Sequence, residues 1–205
     1  MNALKNMARR YILRTGRGRW FYRRFLVRSS AEWADYLRLW GGLHHCGEGV
    51  IINIGCNISD PYLVSIGNNV ALSACTLLGH DAIVRVVNQE RGLKLDSVGA
   101  IKILDNSFVG HGAIVMPNTT IGPNSVVAAG SVVSKDVPPG MVVGGAPAKV
   151  IGTYEEMVQR LTKRSDAYPW RELVEQRNAD NWAEVEPRIK AMRKRHFFGD
   201  GTGQP

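Results

Sequence analysis

At 205 residues, 44% of them hydrophobic, the chain is long enough to bury a substantial core and is expected to form one main domain with appendages. Its three cysteines, Cys46, Cys56 and Cys75, are an odd number without metal-type spacing, which argues against a disulfide scaffold and for a reducing, cytoplasmic setting. No apolar run approaches a membrane span, the basic start lacks the apolar segment of a signal peptide, and the net charge of +8 is concentrated at one end.

That end is the first thirty residues, which hold nine Lys and Arg and no acid, so the remainder sums to about −1. The basic residues alternate with Tyr11, Ile12, Leu13, Trp20, Phe21, Tyr22, Phe25 and Leu26. Such a mixture suits peripheral contact with the anionic inner face of a membrane, or equally a packed helix whose arginines are merely solvated. Nucleic acid, the other polyanion, is not expected as a partner. Ser29 with Glu32 three places on predicts a capping box, followed by Trp33, Tyr36, Leu37 and Trp40 on one helical face and a stop at Gly41-Gly42. Residues 1–45 therefore read as a basic, helical N-terminal segment.

From residue 46 the period changes. Ile54, Ile66, Leu72 and Leu78 share a phase of six, with Asp60 standing where the next aliphatic residue belongs, and such a break tends to mark function. The period vanishes from Gly79 to Lys102, a charged, turn-rich stretch that reads as a long loop thrown out of the regular structure. It returns from Ile103 to Pro139, with aliphatics at Ile103, Val109, Val115, Ile121, Val127 and Val133 and small residues or Val four places on, from Ser107 to Val137. Six fits neither a helix nor a half-buried strand. It predicts a solenoid of three hexads per triangular coil, each aliphatic stacking on the residue about 18 places along. Beyond it, Thr153 and Glu156 repeat the capping device ahead of Tyr154, Met157, Val158 and Leu161, and Trp182, Val185, Ile189 and Met192 predict a further helix before a Gly-rich tail.

The hexads, the Gly79-His80-Asp81 step before the extruded loop, and the closing run from Val143 to Ile151 resemble the hexapeptide-repeat acyltransferases, most of all the bacterial sugar O-acetyltransferases. The resemblance covers residues 46–152, with 153–205 left as a helical C-terminal extension. It implies a mainly β fold, a left-handed parallel β-helix with helical extensions at both ends. It also implies acetyl-CoA as co-substrate, no metal, and a homotrimer whose sites lie between adjacent solenoids. The hexads are specific for fold and much less so for substrate.

Acetyl transfer from a thioester to a hydroxyl needs a base, and His80, where regular backbone meets the loop, is the expected one. Asp81 is a candidate to orient that ring or to bind substrate. By resemblance, Asn53 and Asp60 match the polar residues that hold the sugar acceptor. Ser134 and Lys135, following Ala129, match the stretch that holds coenzyme A, and Lys149 is a second phosphate candidate. His111 stands where these enzymes often carry a small hydroxyl residue near coenzyme A, and Phe108 where many carry Trp. His111 also brings to mind the gamma-class carbonic anhydrases, but the second histidine of their zinc site would fall at Met116. The expected activity is O-acetylation of a sugar in a polysaccharide or lipopolysaccharide precursor. Transfer to an amino sugar, serine or an antibiotic, and a non-catalytic or metal-binding β-helix scaffold, are the alternatives.

Overall fold

The computed structural model describes residues 2–199. Short parallel strands stack on the three sides of a prism. One side holds His45–Cys46, Val64–Ile66, Ile101–Ile103 and Thr119–Ile121; the second holds Ile51–Ile52, Ala71–Leu72, Phe108–Val109, Val126–Val127 and Met141–Gly144. The third holds Asn57–Ile58, Thr76–Leu77, Ile114–Val115 and Val132–Val133. This is the left-handed parallel β-helix expected from the hexads. Ile103 pairs with Ile121, Val109 with Val127 and Val115 with Val133, each 18 residues apart. The closing run forms an antiparallel pair, Lys149–Thr153 on Met141–Gly144.

All six aliphatics of the Ile103–Val133 series are buried along the axis, where each full burial stabilises by roughly 1.5–3 kcal/mol. Their partners four places on are buried too, and the serines among them are satisfied by backbone carbonyls: Ser107 Oγ donates to Gly122 O at 2.8 Å, Ser125 Oγ to Pro138 O at 3.0 Å and Ser131 Oγ to Ala128 O at 2.7 Å. A hydroxyl with a fixed acceptor costs little inside the prism. At one corner, successive coils place Gly49, Asn69, Asn106, Asn124 and Gly140 in the left-handed region, which Gly and Asn tolerate best. Asn69 Nδ2 donates to Asn106 Oδ1 at 2.8 Å, so the corner side chains bond as a ladder.

Upstream of residue 80 the axial series differs from the expectation. Ile52 is fully buried while Ile54 is 37% exposed, and Leu77 rather than Leu78 pairs with Val115 in the core. The cause is two irregular steps. A 3-10 turn at Pro61–Leu63 lengthens the step from Ile58 to Ile66, and the corner at Ala74, itself at positive φ, shortens the step from Leu72 to Leu77. Asp60 is therefore not a failed core position but a corner residue at the head of that turn. Cys75 is buried as a small filler, and its thiol lies 3.9 Å from that of Cys56 on the preceding coil.

The extruded segment is likewise not a bare loop, since it folds into the helix Ile83–Arg91. Asp81 Oδ1 accepts from Ile83 N–H at 3.1 Å near the helix start, and Gly92 closes it in the left-handed conformation. The chain returns where Asp81 N–H donates to Ser97 O and Gly99 N–H to Gly79 O. The half-buried apolar residues of the helix, Val84 and Val87, lie in a stretch too short and too charged for periodicity to reveal.

The first coil is capped by helices α1 (Asn2–Thr15), α2 (Arg19–Phe21) and α3 (Ser30–Trp40), with one π-turn at Tyr22–Leu26. Ile12, Tyr22, Leu26, Trp33, Tyr36 and Leu37 join the solenoid's own core, so the N-terminal segment and the coils up to Tyr154 form one compact unit. Ser29 Oγ accepts from Glu32 N–H at 3.1 Å, as the capping box requires. The Glu32 carboxylate turns elsewhere, accepting from Arg9 Nε at 2.8 Å and from the Tyr22 hydroxyl. Burial pushes this carboxyl up, but the bonds from Arg9 and Tyr22 outweigh it and hold it below its ordinary value. Trp40, expected on the buried face, is half exposed and donates from Nε1 to Leu13 O at 3.0 Å.

Residues from Glu155 form a second unit. It comprises most of α5 (Tyr154–Asp166), then α6 (Arg171–Gln176) and α7 (Trp182–Phe198). Its core is Trp170, Val185 and Ile189, and Arg177 reaches the buried Glu186 at 2.6 Å. The Gly-rich tail lies outside the described residues.

The corrected axial series predicts a contrast between neighbours. Ile52→Ala should cost about 2–5 kcal/mol by denaturant unfolding, whereas Ile54→Ala should cost about 0.5 kcal/mol or less. Equal losses at the two positions would restore the simple six-residue phase.

Candidate active site

Two successive coils of the same edge bring Asp60 and His80 together. The corner Ser59–Leu63 carries Asp60, and one coil later the chain leaves the third side at Gly79-His80. His80 Nδ1 meets Asp60 Oδ2 at 2.6 Å. The same oxygen accepts from Ser59 Oγ at 2.8 Å, and Ser59 Oγ in turn accepts from Gly79 N–H at 3.1 Å. The bond from His80 first, and that from Ser59 second, hold the Asp60 carboxyl below its ordinary value. An ionised Asp60 accepts only, so Nδ1 carries the proton of the neutral ring and Nε2 keeps its lone pair. The imidazole is 46% exposed and the carboxylate 17%. The carboxylate thus sits behind a ring that faces solvent, which is the arrangement of a base with an orienting acid.

Gly79 makes this contact possible. A Cβ there would lie 2.6 Å from Asp60 Cβ and 2.9 Å from Oδ2, inside van der Waals distance. Asp81, expected as a possible ring partner, is instead engaged at the start of the extruded helix. Asn53 caps its own corner, its Oδ1 accepting from Gly55 N–H at 2.8 Å.

The remaining predicted residues fall on two different edges. Ser134 and Lys135 occupy the same edge as Asp60 and His80, past the strand Val132–Val133. His111 and Ala129 stack on the next edge, with Asn53 at the equivalent corner of the first coil, and His111 O accepts from Gly130 N–H at 2.8 Å. Lys149 opens the final strand. All five residues expected on the donor side, His111, Ala129, Ser134, Lys135 and Lys149, are exposed.

The family model for bacterial transferase hexapeptide (six repeats) matches residues 100–135. A putative acetyltransferase of Schizosaccharomyces pombe is 39% identical over 117 residues, which is 54% of this chain and 53% of that one. The galactoside O-acetyltransferase of Escherichia coli is 34% identical over 116 residues, 55% of each chain. The crystal structure of a maltose O-acetyltransferase from Clostridium difficile superposes with a TM-score of 0.50 at 26% identity, covering 73% of this chain and 88% of that one.

The chain is similar to the hexapeptide-repeat acetyltransferases.

It spans about half the length of the yeast and Escherichia coli relatives. The sequence points to His80 through the Gly-His step but leaves the contacts among Ser59, Gly79 and Asp60 hidden. The first two are ordinary corner residues by type. The third stands out as a break in phase and, by resemblance, as an acceptor residue, but the twenty-residue spacing that places it behind the ring depends on the irregular steps.

The dyad predicts a titration. Because the folded Asp60 pKa is lowered, the contact contributes fully above the unfolded carboxyl value of about 3.9 and is lost as pH falls through the lowered folded value. Carboxyl-detected NMR should find Asp60 titrating below that value in the wild type and moving up toward it in both His80→Ala and Gly79→Ala. Asp60 titrating at or above its ordinary value in the wild type would show that the contact is not made in solution.

Proposed function

We propose that the protein is an acetyl-CoA-dependent O-acetyltransferase that acetylates a sugar hydroxyl of a polysaccharide or lipopolysaccharide precursor, with His80 as general base. The observation that carries this reading is the Nδ1 contact to Asp60, which leaves Nε2 as the acceptor at the solvent side of the ring. An acceptor hydroxyl hydrogen-bonded to Nε2 gives up its proton as its oxygen attacks the thioester carbonyl. The tetrahedral intermediate then collapses with loss of the coenzyme A thiolate, and the imidazolium returns the proton to the sulfur. Asp60 stabilises the imidazolium without taking its proton. Lys135 and Lys149 are the cations for the donor's phosphates, with Ser134, Ala129 and His111 along its pantetheine arm. Asn53 is assigned to the acceptor. The galactoside and maltose O-acetyltransferases similar to this chain carry the same kind of activity in their names.

The arrangement of the edges supports a homotrimer. Within one chain the base edge and the edge bearing His111 and Ala129 are separated by a side of the prism, and packing of one prism against another brings the two kinds of edge face to face. The outward column Ile51, Ala71, Phe108 on the second side, with Ile51 and Phe108 exposed, is apolar enough to be covered, whereas the outward Ser65, Lys102 and Thr120 of the first side suit water.

The basic N-terminus supports peripheral attachment to the cytoplasmic face of an anionic membrane. Leu4, Met7 and Tyr11 form an exposed stripe on α1 beside Arg10 and Arg14, and Trp20, 72% exposed, meets Phe25 edge-on at 5.9 Å. No helix among the described residues is long and apolar enough to cross a membrane. Surface attachment of an amphipathic, cationic patch gains about 1 kcal/mol per near-surface Lys or Arg.

Two experiments test these assignments. His80→Ala should keep its fold and its coenzyme A binding but lose about 10²–10⁴-fold in kcat for acetyl-CoA-dependent acetylation across a panel of sugars; near wild-type turnover would remove His80 from the chemistry. Because Ile12, Tyr22 and Leu26 belong to the core, the membrane surface is tested by point changes rather than truncation. The wild type should sediment with phosphatidylglycerol vesicles at low salt, and the Trp20→Glu, Phe25→Glu double variant should not. A wild type that stays in the supernatant would leave the N-terminus as a structural cap alone.

A further inference from the structure

Between the N-terminal helices and the first coil lies a cavity of about 250 Å³, lined by Arg19, Arg23, Trp33, Asn57, Ser59 and Pro61 among others. The guanidinium groups of Arg19 and Arg23 lie 5.7 and 6.0 Å from the Trp33 ring centroid, and Arg23 Nη2 donates to Ile54 O at 2.7 Å. These contacts hold both cations in place. Among the described residues neither arginine has a carboxylate partner, although Arg9 and Arg38 nearby in sequence both do. No Asp or Glu lines the cavity. Glu32 and Asp60, each adjacent in sequence to a lining residue, are already engaged, Glu32 by Arg9 and Tyr22 and Asp60 by His80 and Ser59.

The position of this cavity matters as much as its charge. Ser59 lines it and donates to the oxygen of Asp60 that meets His80 Nδ1, so the wall of the cavity is one hydrogen bond from the dyad. Ser59 and Pro61 flank Asp60 on the same corner. Two positioned guanidiniums without an acid are a receptor for a carboxylate or phosphate, which they bind through paired N–H donors. The volume is below that of a typical whole-ligand pocket of about 300–1,000 Å³ and suits one charged substituent of a larger molecule.

We infer that Arg19 and Arg23 bind an anionic group of the acceptor, so that the substrate is an acidic sugar carrying a carboxylate or a phosphate. The inference rests on the acetyltransferase reading for what happens next to the bound sugar, but not for the binding itself.

Calorimetric titration without acetyl donor separates the two. Galacturonate and glucuronate supply the carboxylate, galactose 1-phosphate and glucose 1-phosphate supply the phosphate, and galactose and glucose are the neutral controls. At least one anion should bind about tenfold or more tightly than its neutral counterpart, as expected for hydrogen bonds to a charged group. Arg19→Ala and Arg23→Ala should each collapse that ratio toward one, with Arg23→Lys retaining part of it. Whether uronates or sugar phosphates bind identifies the group. Lack of binding by every anion at millimolar concentration overturns the inference, as does a preference that survives in both alanine variants. With acetyl-CoA added, the ratio of kcat/KM for the bound anion to that for its neutral counterpart should follow the same pattern. Anion binding without acetylation of any sugar would sustain the site and refute the acetyltransferase reading instead.

Discussion

The stacking of one coil on the next is the constraint from which the rest of the structure follows. Strands in a parallel ladder lie about 4.8 Å apart, so residues one coil apart in sequence become neighbours whatever their chemistry. Along the axis this contact joins Val109 to Val127 and Val115 to Val133 and fills the interior with branched side chains. At the edges it does something different, because corner residues need not be apolar. Asn69 bonds Asn106 across one step of the ladder, and Asp60 meets His80 across another. The same geometry that makes a core therefore makes a polar pair at a fixed distance, with a rigid side of the prism behind it.

The proposed site lies where the stacking is interrupted. The 3-10 turn at Pro61–Leu63 and the exit of the chain after Gly79 lie on one edge, on adjacent coils, and each frees a side chain from the repeat. Gly79 shows how tightly the two are coupled, since any side chain there would displace the Asp60 carboxylate. The N-terminal cap packs beside this corner and reaches the neighbouring edge of the first coil, where Arg23 is tied to Ile54. The charge of this segment is consequently divided. Arg9 is paired with Glu32, Arg19 and Arg23 face Trp33 beside the corner, and Arg10 and Arg14 share the outer stripe of α1.

The regular half of the solenoid was fully legible, because Ile103 through Val133 keep a strict period and nothing but a three-sided coil buries every sixth residue. The upstream half was legible in kind but not in register. One insertion and one shortened corner shift the buried residues to Ile52 and Leu77, and a count in sixes has no means of registering either. The helix Ile83–Arg91 escaped for a different reason, since nine residues with few buried contacts leave no stripe to detect. At the site, the Gly-His step marks His80, while sequence adjacency offers Asp81 as its partner. Adjacent residues seldom point the same way, and the partner came from the coil below. The cavity beside Trp33 could not be seen at all, because it exists only once the basic segment has folded against the first coil.

The central claim is that Asp60 fixes the proton of His80 on Nδ1 and leaves Nε2 free to act. Two-bond nitrogen-15 to proton correlation spectra of the imidazole, recorded above the pH at which the ring loses its second proton, report the tautomer directly. The account predicts a neutral His80 protonated on Nδ1 in the wild type, and a shift toward the Nε2–H form in Asp60→Asn. A wild-type ring protonated on Nε2 would contradict it.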